Sequence, residues 1–412
     1  MELIELASIA GIFFAFALIS KRIEGSILTA PILFTAGGLI AGQTFLSHLG
    51  LSFSESAIHT IAELTLILVL AADASGISIK SLAMNKTIPV RMLGLCLPMI
   101  IIAGTIVGYL IFPEKGWLFV ALLAAILAPT DAALGASILA NERVPIKVRE
   151  GLNVESGLND GIALPAVLFF ACFFNLTHQS GDVNWLVFLA LQLSLGPLVG
   201  LATGFIGGHA LGWTARNGWI TTAMQGVAAL ALAVLAFTLA EAVGGNGFIA
   251  AFICGLTYGN LKLGLSNFLQ EFTETESQML SYLTFFIFGL AILPHAIEHA
   301  TWLTFLYAAA SLTVVRMVPV ALALIGSGLR WPTIGFLGWF GPRGLASLLF
   351  ALLVLEDLQM QQAVELQTIV SITVLMSIVL HGMTAGLFGR LYADWAARET
   401  SPTCPENVPM KD

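Results

Sequence analysis

Apolar stretches of about 20 residues follow one another almost without pause along the 412-residue chain, and a helix of that length matches the hydrocarbon thickness of a bilayer. Backbone polar groups find no water in lipid, so continuous apolar runs of this length cross it as helices that satisfy their own hydrogen bonds. The composition agrees: 58% of residues are hydrophobic and 10% charged, against about 25% charged in a soluble domain. An all-α, polytopic membrane fold is expected.

Spans are expected roughly at 3–20, 26–46, 57–77, 88–112, 117–140, 150–174, 184–210, 219–242, 246–260, 278–297, 301–327, 332–355 and 366–391, about thirteen in all. The boundary between the eighth and ninth rests on Gly244-Gly245-Asn246-Gly247 alone. Basic residues give an independent check, because short cytoplasmic loops are enriched in them. With thirteen spans, Lys21, Arg22, Lys80, Lys86, Arg91, Arg143, Lys147, Arg149, Arg216, Lys262, Arg330, Arg390, Arg398 and Lys411 share one side, and Lys115 falls on the other. The N-terminus is therefore expected outside and the C-terminus inside. The first apolar run has no basic residue before it and Lys21-Arg22 after it, the reverse of a cleaved signal peptide, so it is expected to stay as a span. Residues 1–391 read as one transmembrane domain. Residues 392–412, polar and carrying Pro402, Pro405 and Pro409, read as a short, disordered cytoplasmic tail.

The formal net charge of −8 sits mostly in short loops, and no basic tract with interleaved aromatics is present, so no nucleic-acid partner is expected. Cys96, Cys172, Cys254 and Cys404 form no CxxC pair or zinc-type cluster. Neither disulfides, a bound transition metal nor any cofactor is predicted.

Two spans are interrupted, by Ala128-Pro129-Thr130-Asp131 in the fifth and Gly341-Pro342-Arg343-Gly344 in the twelfth. Proline removes a backbone donor and clashes with the preceding turn. Membrane helices tolerate single kinks of this kind. Here the two breaks stand seven spans apart, an odd offset that opposes the two helices, as in two inverted six-helix repeats joined by a seventh span. Broken helices at matching positions of two halves point to the binding site of a secondary transporter.

Within the sixth span, Glu155-Ser156-Gly157-Leu158-Asn159-Asp160-Gly161 puts carboxylates, an amide and a hydroxyl at membrane depth. A charge near the bilayer centre costs roughly 2.5 to 3.5 kcal/mol on insertion scales, whereas an interhelical polar contact contributes about 0.6 kcal/mol. Structural hydrogen bonding alone does not offset Asp160. Ser156 and Asp160 are four residues apart and share a helix face, so they can address one ligand. Carboxylate and hydroxyl form a hard-oxygen set suited to hard cations, and the same carboxylate can hold a proton instead. Competition between the two for one group is sufficient for exchange. At the breaks, Asp131 faces the positive N-terminus of the following half-helix and Arg343 the negative end of the preceding one, so both are read as electrostatic compensation at a helix crossing, with direct cation ligation the alternative for Asp131. The Thr130 carbonyl, freed by the break, is a cation ligand on this reading, and Asp73 is either a second carboxylate on the ion path or a solvated residue near the cytoplasmic mouth. Arg316 needs a partner that the sequence does not name. His209, Glu241 and His381 are placed near helix ends, where the interface solvates them. Gly200, Gly204 and Gly208 permit close helix approach, as packing, at a dimer contact or at a repeat linker.

Together these motifs resemble the monovalent cation/proton antiporter superfamily, in the branch holding bacterial sodium/proton antiporters and mammalian sodium/proton exchangers. Pro129-Thr130-Asp131-Ala132 is similar to the motif of the interrupted helix, and Glu155 to Gly161 to the cation-site motif. Gly247-Phe248-Ile249-Ala250 through Gly255-Leu256, and Gly341-Pro342-Arg343-Gly344, resemble two later signatures in the same order. The resemblance implies a homodimeric antiporter in which a core domain moves against a dimerisation domain. It implies Asp160 as the cation- and proton-binding carboxylate, with Ser156, the Thr130 carbonyl and Asp73 as further ligands and Glu155 as a partner of Arg343. Asn159 stands where electrogenic relatives carry a first aspartate, which implies electroneutral one-for-one exchange, since asparagine takes up no second proton. Asp73 departs from the glutamate of many bacterial relatives.

The expectation is a non-enzymatic, multi-pass exchanger of a bacterial inner membrane, trading Na+ ahead of K+, with Li+ sharing the same ligand type, for H+. Potassium/proton exchange and a channel-like path are the alternatives within transport. An intramembrane protease is disfavoured: Ser156 lacks a Gly-x-Ser-x-Gly setting, its second upstream neighbour being Val154.

Overall fold

A computed structural model of the chain describes residues 3–23, 28–42, 55–80, 87–139, 141–178, 185–261, 267–355 and 360–398. Those residues form helices and the turns between them, with no strand among them. In chain order the helices are α1 (Leu3–Ile23), α2 (Ala30–Ala41), α3 (Glu55–Ser75), α4 (Thr87–Arg91), α5 (Leu97–Ile111), α6 (Trp117–Ile126), α7 (Ala132–Leu139), α8 (Ile146–His178) and α9 (Trp185–Arg216). They continue as α10 (Thr222–Ala242), α11 (Gly247–Gly259), α12 (Asn267–Ile287), α13 (Leu293–His299), α14 (Trp302–Leu312), α15 (Val314–Ala323), α16 (Trp331–Trp339), α17 (Leu345–Leu355) and α18 (Met360–Arg398). The π-turns Met92–Cys96 and Phe288–Ile292 carry α4 into α5 and α12 into α13 without a loop. Among the described residues, eight helical stretches are long and apolar enough to cross a membrane, and four shorter apolar helices accompany them.

The break expected at Gly244–Gly247 is present. Gly244 takes φ +79, a conformation that glycine adopts without steric cost, and so ends α10. Asn246 then caps α11 by accepting from the Ile249 N–H at 3.0 Å, while the Glu241 carboxylate accepts from the Gly247 N–H at 2.7 Å. Local polar chemistry starts the new helix after a gap of four residues.

The small-residue stripe on α9 finds its partner inside the chain. A Cβ added to Gly200 or Gly204 would meet the Cα of Ala250 or Cys254 on α11 at 2.9 and 3.0 Å. Across α11, a Cβ added to Gly255 or Gly259 would meet the Cα of Ala71 or Ser75 on α3 at 2.8 and 2.7 Å. The stripe is therefore an intramolecular contact, which corrects the option of a dimer contact at Gly200, Gly204 and Gly208. Close backbone approach on both faces pins α11 between α9 and α3. Phe252 of α11 in turn fills the space a side chain at Gly161 of α8 would occupy.

The helix expected to end at residue 391 runs on to Arg398. Tyr392 stacks on Phe336 with ring centroids 4.1 Å apart, its hydroxyl lies 3.0 Å from that of Thr333, and Arg143 pairs with Asp394. These contacts hold the extra two turns against the body of the protein. The expected tail thus shortens to residues 399–412, which lie outside the described residues together with Lys86 and Lys262.

Candidate ion-binding site

Two broken helices cross beside α8. Residues 127–131 separate α6 from α7, and residues 340–344 separate α16 from α17. Each break frees backbone groups that no helix satisfies, and the two breaks satisfy one another. The Asp131 N–H donates to the Pro342 carbonyl at 2.8 Å. The Asp131 carboxylate accepts from the Leu345 N–H at 2.8 Å, capping α17. In the reverse direction, the Arg343 guanidinium donates to the Ala128 and Pro129 carbonyls at 2.5 and 3.1 Å, at the C-terminal end of α6. Electrostatic compensation is what the sequence suggested, but the helices are exchanged: each charge serves a terminus of the other broken helix. The crossing also explains Gly344, since a side chain there would collide with the Asp131 carboxylate.

This latch sets Thr130 against α8. Asn159 donates from Nδ2 to Thr130 Oγ1 at 2.6 Å, and Thr130 Oγ1 lies 3.1 Å from Ser156 Oγ. Having accepted from Asn159 through one lone pair, the Thr130 hydroxyl keeps its proton to donate to Ser156. Asn159 is what orients the pair, because an ionised carboxylate in its place has no proton to donate. Thr130, Ser156, Asn159 and Asp160 are all buried. The Oδ1 atoms of Asn159 and Asp160 accept no hydrogen bond from the described residues. Asp73 on α3 and Asp131 at the crossing both act electrostatically on the Asp160 carboxylate, and the Asp73 carbonyl borders Gly157. Three carboxylates on three elements thus concentrate negative potential around one buried oxygen. Such a field favours a positive guest, metal ion or proton. Among the described residues no cluster of three His, Cys, Asp or Glu side chains is arranged to chelate a metal.

Glu155 does not pair with Arg343. It forms a bidentate pair with Arg316 of α15, at 2.5 and 2.9 Å, with Arg316 only 1% exposed. The reason is reach: the Arg343 side chain is taken by the α6 carbonyls, whereas Arg316 comes in from α15 and packs on Gly341. Glu155 acts on Arg343 through its field alone. Neither charge of the Arg316 pair has a local sequence signal for its partner, 161 residues away. His209 and Glu241 are exposed, as expected of residues near helix ends. His381 is not: it is 0% exposed, because α18 starts at Met360 and ends at Arg398, which puts His381 in mid-helix. There its Nε2 lies 3.0 Å from the Trp339 carbonyl and its Nδ1 3.2 Å from Ser377 Oγ.

The chain as a whole is similar to known proteins. The family described as sodium/hydrogen exchanger, transmembrane, matches residues 7–390. The K(+)/H(+) antiporter NhaP of Alkalimonas amylolytica is 24% identical over 365 residues, covering 85% of this chain and 61% of that protein. The K(+)/H(+) antiporter NhaP2 of Shewanella oneidensis is 25% identical, covering 79% of this chain and 56% of that protein. The chain thus spans about three fifths of the length of these relatives. The fold is similar to that of the sodium proton antiporter MjNhaP1 from Methanocaldococcus jannaschii, with a TM-score of 0.78 at 19% identity over 98% of this chain and all of that one. With the family pattern covering nearly its whole membrane region, the chain belongs to the sodium/hydrogen exchanger family.

Proposed function

We propose that the protein is a secondary antiporter that exchanges a monovalent cation for a proton by alternating access. One observation carries this reading: the buried Asp160 carboxylate keeps an oxygen without a hydrogen-bond donor while Asp73 and Asp131 act on it. An isolated buried carboxylate is costly unless a positive charge accompanies it, and a cation or a proton each meets that need. Only one of them is accommodated at a time, so carrying one inward requires releasing the other. Asp160, Ser156, Thr130 and Asp73 supply the cation's oxygen ligands on this reading. Asn159, Glu155, Asp131 and Arg343 hold those ligands in place.

Sodium leads as the cation. Potassium is the second reading, favoured by the K(+)/H(+) names of the curated relatives. Asn159 supports one-for-one, electroneutral exchange, since the position next to Asp160 on α8 brings an amide, which takes up no proton, in place of a second carboxylate. About thirteen spans in two inverted repeats, an outside N-terminus, a bacterial inner membrane and a homodimeric assembly complete the proposal. The test is dequenching of a pH dye in everted vesicles against a series of alkali chlorides, with Asp160→Asn alongside. Cation-dependent proton movement in the wild type and none in the variant, at equal membrane insertion, is the expected result. Near-normal exchange by Asp160→Asn refutes the site.

A further inference from the structure

We propose that Ser377 and His381, two residues of α18 outside the ion-binding oxygens, are positioning residues for the exchange: together they clamp the break between α16 and α17. The inference deepens the antiport reading and rests on it. The geometry is a closed bridge over the break. On one side the Trp339 carbonyl, last in α16, accepts from the Gly341 N–H at 2.9 Å and faces His381 Nε2 at 3.0 Å. On the other side the Arg343 N–H donates to Ser377 Oγ at 2.7 Å. Ser377 Oγ and His381 Nδ1, 3.2 Å apart, close the bridge.

The direction of each bond follows from the groups. A carbonyl only accepts, so Nε2 carries a proton toward Trp339. Ser377 Oγ has one lone pair engaged by Arg343 and donates its own proton to Nδ1. Every polar atom of the bridge is then satisfied, in a setting where both side chains are fully buried. Nδ1 also lies 3.1 Å from the Ser377 carbonyl; in this tautomer both atoms are acceptors, so the Ser377 hydroxyl and not that carbonyl is the partner of Nδ1.

What the bridge holds matters for the ion. The backbone it fixes at residue 343 carries the guanidinium that grips the Ala128 and Pro129 carbonyls, and the next residue is Thr130, whose hydroxyl meets Asn159 and Ser156. A looser break lets Arg343 recede, and Thr130 moves with the carbonyls it follows. Asp160 sits on α8, outside this linkage. The clamp therefore governs how well the oxygen set closes on a metal cation, and leaves the protonatable carboxylate where it is. Buried networks of this kind specify one arrangement only when every member is satisfied.

The test is cation-dependent proton exchange in proteoliposomes at fixed pH for His381→Ala, His381→Gln, Ser377→Ala, the His381→Ala/Ser377→Ala double variant and Thr384→Val. Thr384 is the control: it accepts from the Trp339 side chain, at Nε1, at 3.1 Å, and contributes no atom to the bridge, which uses the Trp339 carbonyl. The expected result is a roughly tenfold rise in the KM for the cation in both alanine variants, about 1.4 kcal/mol, with the maximal rate changed less than threefold. The double variant should be no worse than the poorer single one, His381→Gln should recover part of the loss, and Thr384→Val should keep the wild-type KM. A wild-type KM in properly inserted Ser377→Ala and His381→Gln, or additive losses in the double variant, overturns the clamp. Absence of exchange in the wild type overturns the antiport reading itself and is told apart by that control.

Discussion

Asp131 and Arg343 serve each other's helices: the Asp131 carboxylate caps α17 through the Leu345 N–H at 2.8 Å, and the Arg343 guanidinium closes α6 through the Ala128 carbonyl at 2.5 Å. The two breaks are thereby one structural unit, and neither half of it is dispensable.

Arg343→Ala strands two buried carbonyls. Hydrogen bonds to charged groups contribute about 1.5 to 3 kcal/mol each, so this variant should melt at a clearly lower temperature in detergent and lose exchange at least tenfold. Arg343→Lys restores the charge but not the forked geometry and should fall between. A melting curve for Arg343→Ala that matches the wild type contradicts the latch.

Arg316 and Glu155 make a buried bidentate pair. Removing one partner leaves an uncompensated charge, at about 3 to 5 kcal/mol. Glu155→Gln and Arg316→Met should each destabilise the protein by that order, and the double variant should recover most of the loss. Thermal melting of the four proteins checks it; additive losses in the double variant count against the pairing.

Much of this unit was legible in the sequence. Pro129 and Pro342 announce broken helices because proline lacks the backbone donor and clashes with the preceding turn, and the polar run from Glu155 to Asp160 stands out because the span that holds it is otherwise largely apolar. Partnership was not legible. Glu155 on α8 and Arg316 on α15 are brought together by helices that both pack on the turn Met92–Cys96, and no local spacing encodes that distance. Resemblance assigned Glu155 to Arg343, which the crossing geometry had already committed to α6. His381 was misplaced for a simpler reason: the polar residues past 391 concealed a helix held by Tyr392 and Asp394, so a mid-helix residue read as terminal. The glycines at 200, 204 and 208 gave the close contact correctly and its partner not at all, since small residues accept a helix from this chain or another equally well.

Asn159 donates to Thr130 at 2.6 Å and brings no second titrating group. Exchange by the wild type should therefore be indifferent to an imposed membrane voltage in proteoliposomes. Asn159→Asp adds a carboxylate and removes the donor, so it should weaken cation binding and make the residual flux respond to voltage. Strong voltage steering of the wild type contradicts one-for-one exchange.

The most direct measurement is proton release from the purified protein on cation addition, read by a pH dye at fixed pH in weak buffer. The account predicts that about one proton leaves for each cation bound, and that Asp160→Asn, folded by its melting curve, releases none. Saturable cation binding to the wild type with no proton released would contradict it.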